Sequence, residues 1–141
     1  MVIVIDTNLV SELTRLRPEP RVVAWFDAQV HGELWTTAVN VAEILEGVGR
    51  LPPGHRRSEL ATQTTRILEV LFDDRVAVFD VAAAATYARV SEERRRAGRP
   101  VAALDLQIVA IALAHGADGL ATRNTKDFEG SGLRLIDPWR D

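Results

Sequence analysis

The 141-residue chain has no cysteine, so it can build neither a disulfide framework nor a thiolate metal site. That is compatible with a reducing compartment, and a cytoplasmic protein is expected. No apolar run approaches the length of a membrane span. The apolar opening at residues 2–5 is too short for a signal peptide and has no basic segment before it. Repeats, low-complexity tracts and linkers are missing as well, which favours one domain over residues 1–141. Lysine is almost absent: Lys126 is the only one, and the remaining cationic side chains are arginines. Arginine is the better bidentate partner for phosphate, although its use in place of lysine also follows genomic base composition. The formal net charge of −3 excludes a protein that holds nucleic acid by bulk positive charge. What remains is an ordinary globular composition, 47% apolar, enough for a sizeable core.

Within that composition, short apolar runs alternate with helical patterns. Residues 2–5 read as a first strand, 34–36 as a second, 76–79 as a third, 119–122 as a fourth and 133–136 as a short last one. Helices are expected at 9–16, 21–30, 38–48, 58–71, 82–97 and 104–114, with Thr37 as an N-cap and Gly98 and Pro100 as stops. Strands separated by helices imply βα units, giving an α/β fold of three layers with a mostly parallel sheet of four to five short strands. In such sheets ligands bind beyond the carboxyl ends of the strands.

The acids fall where that geometry would gather them. Asp6 ends the first apolar run and is followed by Thr7 and Asn8, all three of which are also good helix caps. Asn40, Glu43 and Gly47 share one helical stripe, and a glycine inside a helix suggests a close approach there. Glu46 is a weaker candidate. Asp105 stands at the mouth of a helix that is apolar nearly all round and therefore buried, where a carboxylate also suits the helix dipole. Asn124 and Asp127 follow the fourth strand, and either an amide oxygen or a carboxylate is acceptable to a hard cation. Several oxygen donors and nothing softer point to a divalent metal and hydrolysis of phosphodiesters. His31, His55 and His115 show no ligand spacing and read as surface residues. Arg94, Arg95, Arg96 and Arg99 could follow an RNA backbone, or could continue Glu92 and Glu93 as an ion-paired helix face.

Taken in order, four stretches resemble the PIN-domain ribonucleases, specifically the VapC-type toxins of toxin–antitoxin pairs. They are Ile5-Asp6-Thr7-Asn8, Asn40 to Ile44 with Gly47, Asp105 with Ile108-Val109-Ala110, and Thr122 to Phe128. Pro138-Trp139 is similar to the subgroup that includes the FitB-type toxins. The resemblance implies Mg²⁺- or Mn²⁺-dependent RNA cleavage, with Asp6, Glu43 and Asp105 as metal-binding, catalytic acids. It aligns Asn124 with the family's fourth acid, leaving Asn124 or Asp127 to complete the site, and makes Thr7, Asn8 and Thr122 supporting polar residues. It also implies a VapB-like antitoxin, received on the first helices around Leu9, Leu13, Val23 and Phe26, at least half of which are expected to be plain core instead, and a homodimer.

Two other readings compete. A receiver-like phosphoacceptor module needs an acidic pair after the first strand and a lysine after a late one. Here Asp6 is followed by Thr7 and Asn8, and Lys126 sits in a turn pattern. A housekeeping PIN nuclease without an antitoxin would carry the same acids.

Overall fold

A computed structural model describes all 141 residues. The backbone forms five strands, β1 (Ile3–Ile5), β2 (Leu34–Thr37), β3 (Val76–Ala77), β4 (Gly119–Ala121) and β5 (Arg134–Ile136). Six α-helices accompany them: α1 (Thr7–Leu13), α2 (Pro20–Asp27), α3 (Ala38–Gly49), α4 (His55–Phe72), α5 (Val81–Arg96) and α6 (Ala103–Ala114). The strands lie in the order β3-β2-β1-β4-β5, and every pairing is parallel. From β1 the chain winds outward through β2 to β3, then returns to lay β4 against the other edge of β1. The switch point between β1 and β4 opens a crevice at their carboxyl ends.

Alternation along the strands explains the layers. Ile3, Ile5, Leu34, Ala121 and Ile136 face one side, where Leu9, Val22, Phe26, Ile44 and Phe72 of α1 to α4 cover them. Val4 and Leu120 face the other, under Val90 of α5 and Leu106, Ile108, Val109 and Ala112 of α6. β1 is apolar throughout because it is covered on both faces. The buried run of α6 from Ile108 to Ala112 has the same cause. No helix is long and apolar enough to cross a membrane.

Several expected boundaries move, each for a local reason. Asp6 itself caps α1, so the helix starts at Thr7 rather than at residue 9, and it ends at Leu13, leaving Leu16 almost fully exposed. α2 stops at Asp27, before the exposed Val30. β3 spans two residues, not four, because Val78 and Phe79 turn outward ahead of the Asp80 cap of α5. Leu9 and Phe26 are core side chains, so they are not part of a partner-receiving surface; Leu13 and Val23 are half-buried.

Gly47 departs from expectation too. A Cβ built there meets nothing within 4 Å, so no close approach requires the glycine. Gly47→Ala is therefore expected to stabilise α3 by about 1 kcal/mol, the helix-propensity difference alone. Thermal or urea unfolding of the two chains measures it, and a loss of stability would mean that the space beside Gly47 is occupied in solution.

Candidate active site

The centre of the site is Asp6, at the crevice between β1 and β4. The side chain is buried, 6% exposed, and three neutral donors hold it. The Thr7 backbone N–H and the Asn40 Nδ2 each donate to Oδ1 at 2.9 Å. The Thr122 hydroxyl donates to Oδ2 at 2.7 Å. A carboxylate offers about four acceptor positions, so one on Oδ2 stays open. The donors come from α1, α3 and the end of β4, and one carboxylate thereby ties three elements together.

Each donor is itself fixed. Thr37 caps α3 through a reciprocal box: the Asn40 N–H donates to Thr37 Oγ1 at 3.1 Å, and the Thr37 hydroxyl and N–H donate back to Asn40 Oδ1. This sets the amide so that Nδ2 reaches both Asp6 and Thr7 Oγ1. The Thr7 hydroxyl in turn donates to Glu43 Oε1 at 2.9 Å. Asn8 spans the crevice: its Nδ2 donates to Thr122 Oγ1 at 3.4 Å, and its Oδ1 accepts from the Arg123 N–H at 3.2 Å. Asn40 was not singled out from sequence as a site residue. Its position at N3 behind Thr37, one turn before Glu43, was the available signal.

Asp105 lies in the first turn of α6, half-buried. Its pKa is pushed up to about 6, first by burial and then by the charges of Asp6, Asp127 and Glu43. The Glu43 carboxyl is raised as well, by burial and by the charges of Asp6 and Glu46, against the lowering effect of the Thr7 hydrogen bond. None of Asp6, Glu43, Asp105 and Asp127 takes part in an ion pair. Asp105 feels the charges of the other three, and Glu43 that of Asp6. The four are not packed together, since no three Asp, Glu or His side chains lie close enough to hold one ion as joint direct ligands.

The structure separates the remaining candidates. Asp127 shares a cavity of about 220 Å³ with Asp105, whereas Asn124 does not line it. The Asn124 N–H donates to Thr122 Oγ1 at 3.1 Å, next to Asp6. Glu46 is exposed and paired with Arg50. The three histidines are exposed, and His115 stacks on Trp35 with ring centres 4.2 Å apart. Arg95 and Arg96 both pair with Glu92, which lies three and four residues before them. Arg94 and Arg99 instead line the cavity holding Asp105 and Asp127.

Known proteins are similar to this chain over nearly its whole length. The PIN domain profile matches residues 3–130. A plasmid stability protein, StbB, of Pseudomonas syringae pv. tomato is 39% identical over 137 residues, covering 97% of this chain and 98% of that protein. The VapC ribonuclease Y4jK of Sinorhizobium fredii is 37% identical over 137 residues, covering 97% of each. The crystal structure of FitAcB from Neisseria gonorrhoeae is similar with a TM-score of 0.91 and 34% identity, over 99% of this chain and 100% of that one.

The raised Asp105 pKa has a definite sign for stability. The folded chain binds this proton more tightly than the unfolded chain, whose carboxyl titrates near 3.9, roughly the ordinary value. The metal-free fold therefore has the full benefit below about pH 4 and loses it as pH rises to about 6. In EDTA, Asp105→Asn is expected to remove this loss, so the variant gains on the parent between those pH values and stays ahead above them. Unfolding curves across pH test it; parallel curves would show that Asp105 is not under repulsion.

Proposed function

The chain belongs to the PIN-domain family, and from that premise we propose that it is a divalent-metal-dependent endoribonuclease, the toxin of a toxin–antitoxin pair. The observation that carries this reading is the set of carboxylates Asp6, Glu43, Asp105 and Asp127 around the β1–β4 crevice, none of which forms an ion pair. Burying like charges without a partner costs stability, and a hard cation removes that cost. The donors are all oxygen, which selects Mg²⁺ or Mn²⁺ over softer metals. Such an ion, when bound, supplies Lewis-acid polarisation of a phosphate oxygen and a water of lowered pKa.

The residues divide the work. Asp6 presents its one open acceptor position toward the crevice, and Asp105 faces it from α6. Glu43, held by Thr7 and raised in pKa, is the carboxylate suited to accept a proton from the attacking water. Asn40 and Thr122 position Asp6, and Asn8 keeps the two strand ends together. Asp127 closes the far side, the position the amide of Asn124 leaves without charge.

The counterpart antitoxin has a surface to meet. A groove of about 920 Å³ runs between α1, α3 and α4, past Gly47 and Arg56, and opens on Thr7 and Glu43. A partner segment lying in it would close the acids to RNA. The groove lined by α1, α3 and α4 is the surface that suits such a segment, rather than the buried faces of α1 and α2. The names of the relatives, a ribonuclease and a stability protein, support the same reading.

Purified chain incubated with single-stranded RNA is expected to cleave it with Mg²⁺ or Mn²⁺ and not with EDTA. Asp6→Asn, which keeps the cap, is expected to lower cleavage by more than about a hundredfold, and Asn40→Ala by about ten- to a hundredfold through the carboxylate it orients. Full activity of Asp6→Asn, with contaminating nuclease excluded, would overturn the assignment.

A further inference from the structure

The arginine run that closes α5 contains one side chain set apart from its neighbours. Arg94 forms no ion pair, and its Nε is buried without a hydrogen-bond partner, the one buried side-chain polar atom in the chain so placed. The helical register explains the isolation. Glu92 lies three and four residues before Arg95 and Arg96, whereas Ser91 and Val90 hold those places for Arg94.

The guanidinium has one close neighbour. It packs on the backbone of Gly130, which has φ +76°, and a Cβ at that position would come within 2.1 Å of Nη1. Any other residue there would be strained in backbone and would displace the arginine. The Arg94 side chain lines the cavity of about 220 Å³ together with Arg99, Lys126 and the acids Asp105 and Asp127. Arg99 and Lys126 also form no ion pair. The lining therefore mixes three unpaired cations with three acids, Asp105, Asp127 and Glu129.

We infer that Arg94, seated on Gly130, is a phosphate-positioning residue, with Arg99 and Lys126 as a looser flank. It holds a backbone phosphate of single-stranded RNA against the acids. This rests on the nuclease reading for its substrate, but its evidence is separate: an unpaired guanidinium in a cavity with room for a phosphodiester group and water. The planar fork suits two phosphate oxygens, which a lysine would not match. The same unpaired burial means that the free chain gains nothing from the charge, as a structural ion pair would.

Binding of a fluorescein-labelled single-stranded RNA tests this without cleavage, in EDTA and on an Asp105→Asn background that relieves the repulsion. Adding Arg94→Met is expected to weaken binding by roughly tenfold to a hundredfold. The slope of log affinity against log salt should fall by about 0.7. The melting temperature should be equal or higher. Gly130→Ala, which keeps every charge, is expected to weaken binding in the same direction, while Arg95→Gln leaves it unchanged. Affinity and salt slope unaltered by Arg94→Met would overturn the inference, as would no RNA binding by the background chain, or equal losses for Arg94→Met and Arg95→Gln. If the parent cleaves RNA with Mg²⁺ while Arg94→Met binds normally, this inference alone fails. If the parent cleaves nothing but its RNA binding depends on Arg94, the nuclease reading alone fails.

Discussion

Everything at the crevice depends on how Asp6 is held. Three neutral donors fix its carboxylate, and none cancels its charge. A salt bridge would hold the group as firmly but would spend the field that a bound cation requires. Hydrogen bonding to a backbone N–H, an amide and a hydroxyl gives position while leaving the negative charge in a partly dry place. The same bonds set the distance from β1 to α3 and to the end of β4, so an error in the site is an error in the fold.

The result is a molecule whose acids stand in an unfavourable electrostatic arrangement. Asp105 and Glu43 shift upward because they share a half-buried space with other acids. Stability for the whole comes from elsewhere: a parallel sheet covered on both faces and a central helix apolar nearly all round. Only a scaffold of that kind can keep like charges converged without collapse or rearrangement, and natural sites commonly combine local cost with strong support around it.

Much of this was legible in the residues. The run of residues 2–5 ending in Asp6 located the first strand and the acid at its carboxyl end, and the apolar roundness of α6 announced that Asp105 opens a buried helix. The Thr37 cap was readable and the box with Asn40 confirms it. Other features depend on three-dimensional facts that periodicity does not carry. The start of α1 was missed because Asp6 caps and faces the cleft at once. β3 was overextended because apolar residues 78 and 79 are exposed, and apolarity alone cannot separate a strand from a turn on the surface. The arginine run looked uniform, yet helical spacing against Glu92 divides it, and the role of Gly130 is visible only when Arg94 is seen lying on it.

The central claim is that a divalent cation is held beyond the end of β1, in the field of Asp6, Glu43, Asp105 and Asp127. The most direct measurement is Mn²⁺ titration of isotope-labelled chain followed by nuclear magnetic resonance, in which the paramagnetic ion broadens signals of nearby nuclei. The account predicts early loss of the signals of Thr7, Glu43, Asp105 and Asp127 while those beyond the amino ends of the strands, around Gly32 and Ala117, persist. Broadening spread evenly over the surface acids, or centred away from Asp6, would contradict it.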